Sequence, residues 1–142
     1  MNKLFKSVVC VLTVFSMVFI MGCVDEDESD TATLNGDWDR GDIVVTFING
    51  DGVFTVINSN SGWERVRENG DIKVGDKKFR NIKKSGDLKW TGEERNYNTA
   101  TYRAGDWKNC TITMDADGQN IRVDDHGPDV TNPTTYYTKL SY

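Results

Sequence analysis

From Leu34 onward, short runs of Val, Ile, Thr, Phe, Tyr and Trp are cut at close intervals by Gly, Asn and Asp, and no ten-residue window shows a helical apolar period. That punctuation constrains the fold more than any other feature. Alternation with period 2 places apolar side chains on one face of a strand, and Gly, Asn and Asp supply the positive φ that tight turns need. Ile43, Val45 and Phe47 share one face of a strand over Ile43–Ile48. Asn49-Gly50-Asp51-Gly52 is the strongest hairpin signal, returning along Val53–Asn58. Trp63–Arg67 reads as a strand with Trp63 and Val66 out of phase. Ile72 and Val74 mark a further short strand, followed by Lys78–Lys83 and by Leu88–Arg95 beyond a Ser85-Gly86-Asp87 turn. Thr99–Arg103 extends next. Cys110, Ile112 and Met114 alternate on Trp107–Met114, and Ile121 and Val123 do so on Gln119–Val123. Asp124–Pro133 reads as a polar loop before a closing strand, Thr135–Leu140.

Consecutive hairpins of this kind predict an all-β fold, a small antiparallel up-and-down barrel of about eight strands. Closure removes the exposed edges of the sheet. A two-sheet β-sandwich is the alternative. A barrel of eight strands is just wide enough to be filled by side chains or to hold one small ligand. With four Trp and five Tyr to place, a filled interior is expected.

The first 33 of the 142 residues read differently. Lys3 and Lys6 precede a 15-residue stretch, Ser7–Met21, with only Ser7, Thr13 and Ser16 polar. That is short for a spanning helix, which needs roughly 20 apolar residues, and right for a signal peptide. Ile20-Met21-Gly22-Cys23 resembles a bacterial lipobox, which implies cleavage before Cys23 and lipid on its sulfur. The chain then divides into a signal peptide (1–22), a lipidated Cys23 with an acidic tether (23–33), and one folded domain (34–142). An uncut N-terminal anchor is the alternative. Each buried lipid methylene contributes about 0.8 kcal/mol, so two or more acyl chains hold the protein at a membrane. Asp25, Glu26, Asp27, Glu28 and Asp30 form a self-repelling block. It resembles the surface-export signal of lipoproteins in the Bacteroidetes group, and Asp30-Thr31-Ala32 resembles that group's O-glycosylation motif. A solvated spacer is the plainer reading. The resemblance implies a cell-envelope protein at the outer membrane or cell surface, with the membrane as partner through Cys23.

Charge and cysteine content narrow the functional classes. The whole chain has 17 basic and 22 acidic residues. Without Lys3 and Lys6 the balance is 15 against 22, and from Thr31 onward it is 15 against 17. The folded part is nearly neutral, which gives nucleic-acid binding no support. Of three cysteines, Cys10 lies in the signal and Cys23 at the lipid site, leaving Cys110 without an intramolecular disulfide partner. Cys110 alternates with apolar residues, so packing is its expected role.

Gly36-Asp37-Trp38 resembles the Gly-x-Trp motif of lipocalins and their relatives, and Thr135-Tyr136-Tyr137-Thr138-Lys139 resembles the closing strand of bacterial lipocalin-like domains. The resemblance covers the two ends of the domain. It implies that Trp38 packs at the base of the barrel beneath a basic residue, for which Lys139 is the nearest match.

Catalytic and metal-binding patterns are weak. His126 is the only histidine, and no Gly-x-Ser-x-Gly or His-Glu-x-x-His occurs. Glu93-Glu94 places adjacent acids on opposite strand faces. Asp124-Asp125-His126-Gly127-Pro128-Asp129 groups oxygen and nitrogen donors, but a solvated loop explains it, and Asp115-Ala116-Asp117-Gly118 fits a turn better than a calcium loop. No enzyme activity, cofactor or metal is expected. The basic stretch Lys73–Lys89 reads as the solvated face of edge hairpins. Trp63, Trp90, Tyr97, Tyr102 and Trp107 are the candidate ligand-binding residues, since aromatics beside Asn, Arg and Glu can stack on a sugar or peptide; core filling is the alternative. The expected function is non-enzymatic binding of a small apolar or glycan ligand. An adhesion or protein-interaction module of sandwich type is the alternative.

Overall fold

The computed structural model describes residues 32–126 and 134–142. Eight strands are joined in sequence order into a closed antiparallel barrel: β1 (Gly36–Asp39), β2 (Ile43–Ile48), β3 (Asp51–Ile57), β4 (Lys77–Gly86), β5 (Lys89–Asn98), β6 (Arg103–Met114), β7 (Asn120–Asp125) and β8 (Thr134–Lys139). One short helix, α1 (Gly62–Glu68), lies between β3 and β4. The all-β up-and-down barrel is therefore observed, and the sandwich alternative is set aside. Closure rests on a short seam, with Trp38 opposite Lys139 and Asp39 opposite Thr138.

Turn chemistry follows the sequence. Asn49 and Gly50 both take positive φ, 51° and 84°, which makes a two-residue hairpin with Ile48 opposite Asp51. The return strand thus starts at Asp51, two residues earlier than the turn signal implied. The turns after β2, β4 and β6 lie at one end with Leu34, here called the entry end. The opposite end carries α1 and the β5–β6 turn and is called the helix end.

The interior is filled from both ends. Trp38, Phe54, Trp63, Phe79, Ile43, Val45, Ile112 and Ile121 are completely buried. Phe47 and Phe79 pack with ring centroids 5.1 Å apart, and Phe79 meets Tyr137 at 6.0 Å. Gly52 makes that packing possible. A Cβ there would sit 2.9 Å from Phe79 and about as close to Val45 and Phe47.

Four expected segments differ. Trp63–Arg67 is helical rather than extended. Ser61 caps the helix by accepting from the Glu64 backbone N–H at 3.0 Å, and Ser61-Gly62-Trp63-Glu64 is a capping-box pattern. Gly70, at φ 79°, closes the other end: Gly70 N–H donates to Arg67 O and Asp71 N–H to Val66 O. Trp63 and Val66, out of phase as a strand, are both buried on one face of that helix. Ile72 is buried without a strand around it, and Val74 is half exposed. Residues 99–102 turn, and β6 begins at Arg103. Asp124 and Asp125, expected in a loop, complete β7.

Candidate functional site

The five candidate aromatics part into three groups. Trp63, Tyr97 and Tyr102 come together at the helix end. Trp63 meets Phe54 at 4.9 Å and Tyr97 edge-on at 4.7 Å, and Tyr97 stacks on Tyr102 at 6.2 Å. Trp63 is completely buried, so its ring presents no face to solvent. Arg65 lies 4.6 Å over Tyr102, whose φ of 51° is unusual for a bulky residue. Asn69 Nδ2 donates to Tyr102 O at 2.9 Å, and Arg103 pairs with Asp71 at 2.8 Å. The β5–β6 turn therefore clamps α1 against the barrel. Gly62 is part of the same fit, since a Cβ there would overlap the Tyr97 hydroxyl.

Beneath this clamp lies a buried polar layer. An extra residue in β4 breaks the register between Gly52 opposite Phe79 and Val53 opposite Lys77. The bulge brings both Lys78 and Phe79 into the interior. Lys78 is completely buried, and its ammonium lies 4.9 Å over Trp63. It donates to Glu94 Oε1 at 2.5 Å, Arg95 O at 2.7 Å and Asn96 Oδ1 at 3.0 Å. Asn96 in turn donates to Asp125 at 2.7 Å. Burial pulls the Lys78 pKa below the usual lysine value, with the Glu94 charge opposing it.

Trp90 stands at the entry end, nearly buried beside Leu34, Phe47 and Ile82 around a recess of about 150 Å³, and Lys84 approaches its ring at 5.9 Å. Trp38 is sealed from solvent with its indole N–H donating to Leu34 O at 2.8 Å, and Lys139 Nζ lies 5.7 Å over its ring.

Trp107 occupies the outer face of the barrel. Cross-strand partners Arg95 and Trp107, Glu93 and Asn109, and Thr91 and Thr111 set one outward row on β5 beside another on β6. Lys83, Asn81, Thr91, Glu93, Asn109, Thr111 and His126 line a depression of about 530 Å³ on this face. Its shape comes from a second irregularity in β4, where Arg80 opposes Glu93 but Lys83 opposes Thr91. Asn81 takes φ 56° at that step. Arg80 grips Glu93 with two bonds, at 2.9 and 3.0 Å, and Asn81 Nδ2 donates to Glu93 Oε2 at 2.7 Å. Hydrogen bonds from Arg80 and Asn81 hold the Glu93 carboxyl below the usual carboxylate range. The Arg80 guanidinium also lies 4.3 Å over Trp107. Opposite, His126 Nε2 and the Thr111 hydroxyl are 2.8 Å apart.

The basic stretch is divided by the fold: Lys78 is interior, Lys77 pairs with Asp51, and Arg80 with Glu93. Burial pushes the Cys110 thiol up to about 12, which makes a thiolate nucleophile unavailable near neutral pH. Among the described residues no group of His, Cys, Asp and Glu is placed to hold a metal ion. The proposed lipid site Cys23, the signal and most of the tether lie outside the described residues, as does Asp129.

No family model, curated protein or solved structure matches this chain.

Sequence reasoning missed the Lys78–Glu94 pair, α1 and the outer depression. Only α1 left a direct signal, the Ser61–Glu64 capping box. A lysine in a basic run gives no sign that a bulge will turn it inward.

Proposed function

We propose that the chain is a lipid-anchored envelope lipoprotein whose lipocalin-like barrel acts by binding, without catalysis, a glycan or a small apolar ligand. The supporting observation is that the core is packed with side chains while two recesses open outside it. One is the depression on β4–β6 and the other the smaller recess at Trp90, where Leu34, Phe47 and Ile82 meet Thr33, Asn35 and Lys84. The fit of Lys139 over Trp38 at the base agrees with the lipocalin-like reading. The acidic tether places the domain within reach of the membrane: ten residues extend at most roughly 35 Å.

A protein-interaction module is the second reading, favoured by Tyr136, which is 66% exposed on the outer face of β8.

Native mass spectrometry of the full chain, extracted from its host membranes, tests both readings. The expected spectrum shows a polypeptide starting at Cys23 with added acyl mass and a co-purifying small ligand. A polypeptide starting at Met1 with unmodified Cys23 removes the envelope assignment. A co-purifying protein without any small ligand selects the interaction module.

A further inference from the structure

The buried polar layer is arranged for a reaction as well as for a hydrogen-bond network. An amine and a carboxamide held together, away from water and beside a proton acceptor, can form a new amide and release ammonia. Lys78 and Asn96 are such a pair. The bulge in β4 turns Lys78 inward, and Asn96 shares the inward face of β5 with Glu94, two residues away. Lys78 Nζ lies 3.0 Å from Asn96 Oδ1. The Asn96 amide carbon is one C=O bond, about 1.2 Å, from that oxygen. The terminal torsion of Asn is soft, so turning this carbon toward Nζ brings the pair to the about 3–3.5 Å from which reaction starts. Asn96 Nδ2 donates to Asp125 Oδ2 at 2.7 Å, which sets the oxygen of the amide toward Lys78 and its nitrogen away from it.

An ammonium is no nucleophile, so Nζ must first lose a proton. Glu94 Oε1, 2.5 Å away, is placed to take it. That transfer turns two buried charges into two neutral groups and removes the need to keep an ion pair out of water. Burial already draws the Lys78 pKa below the usual lysine value, against the Glu94 charge and with the Arg40 charge. Trp63 and Phe79, with ring centroids 4.9 and 5.2 Å from Nζ, cover the amine on its apolar side.

We propose that Lys78 and Asn96 form an intramolecular isopeptide bond, with Glu94 as the proton acceptor and Asp125 holding the departing nitrogen. The neutral Lys78 amine attacks Asn96 Cγ; the Nζ–Cγ bond forms and the Cγ–Nδ2 bond breaks. A second Nζ proton passes to Nδ2, which leaves as ammonia, while Glu94 keeps the first. One positive and one negative charge become none, and nothing is oxidised or reduced. The bond joins β4 to β5 between residues 18 apart in the chain. Among the described residues the one cysteine, Cys110, is free, so the amide supplies a covalent staple that no disulfide provides. The inference is independent of what the barrel binds. The Lys78–Glu94 ion pair belongs to the chain before this reaction, and linked and unlinked chains are told apart by mass.

The test is mass spectrometry of the full chain, fresh and after days of incubation in the folded state, followed by peptide mapping. A fraction lighter by one ammonia is expected to grow with incubation, and to yield a branched peptide joining Lys78 to Asn96. N96A and K78M keep their full mass. E94Q keeps the size of the side chain without its proton acceptor, and links about a hundredfold more slowly or not at all. Should a variant fail to fold, the mass and the peptide map of the wild-type chain decide alone. An unchanged wild-type mass after incubation overturns the proposal. So does an ammonia loss that persists in N96A, or one that maps to a linear peptide, as cyclisation at Asn49-Gly50 or Asn69-Gly70 would give. Loss of one water with the branch at Glu94 overturns it as well, because the carboxyl group has then reacted in place of the amide.

Discussion

Replacing Glu94 by Gln should destabilise the barrel more than any conservative change on its surface. In the native protein Lys78 and Glu94 are both completely buried, 2.5 Å apart. At that separation an effective dielectric of about 20 gives a gross attraction of about 7 kcal/mol. Desolvation costs several kcal/mol per ion, so the net value of the pair is far smaller. Removing one partner is a different matter. The Lys78 ammonium would keep Arg95 O, Asn96 Oδ1 and the neutral amide oxygen of the introduced side chain as acceptors, but no opposing charge. Breaking a buried pair in this way costs about 3–5 kcal/mol. At roughly 4 °C per kcal/mol for a domain of this size, the melting temperature should fall by about 12–20 °C. Lys78 can escape part of the cost by losing its proton. Its folded pKa is already depressed, and Glu94→Gln removes the charge that opposed the depression. For a group depressed in the folded state, stability is present above the unfolded pKa and lost as pH falls through the folded one. The variant should therefore regain stability from pH 7 towards pH 10, near the usual lysine value of 10.5. The double variant Lys78→Met/Glu94→Gln should recover part of the single-variant loss, since no charge is left unpaired, with a residual cost of about 1–3 kcal/mol from the acceptors that Lys78 leaves without a donor. Urea denaturation of the four proteins gives the coupling energy directly. A single-variant cost below about 1 kcal/mol, or a double variant as unstable as the sum of both singles, would refute a desolvated pair.

Ser61→Ala should cost about 1 kcal/mol by removing the cap of α1, and the Trp63 emission should shift to the red if the helix lifts from the barrel. An unchanged denaturation midpoint would show that the clamp from Tyr97 and Tyr102, not the cap, fixes the helix. Alkaline stability should also report Cys110. Its folded pKa is raised, so the associated stability is whole below the usual value of 9.0 and declines as pH rises toward about 12. Cys110→Ala should flatten the stability profile over that window relative to wild type. Tyr137, also raised by burial, contributes the same fall to both proteins and cancels in the comparison.

Most of the strands were legible in the chain because their evidence is local. Ile43, Val45 and Phe47 on β2, and Cys110, Ile112 and Met114 on β6, alternate strictly, and all are buried. Asn49-Gly50 turns where its tolerance of positive φ allows. The helix escaped because seven residues span only two turns. Two apolar positions three apart look like a strand losing phase, while the Ser61–Glu64 cap that marks the helix is also local. The meeting of Trp38 and Lys139 was implied by the resemblance of the domain's two ends to lipocalin-like strands, and the closed sheet sets the two residues opposite each other.

The sequence by itself determined the period of the strands, the place of most turns and the near neutrality of the folded part, because each depends on residues a few positions apart. Tertiary structure alone decided which charges are interior and which aromatics face solvent. The extra residue at Lys78 reverses the face of a side chain that any alternation rule leaves outside. Strand pairing beside the register step at Asn81 brings Glu93, Asn109 and His126, far apart along the chain, to line one depression. A bulge is a bargain between paired strands, and one strand's sequence does not carry its partner's register.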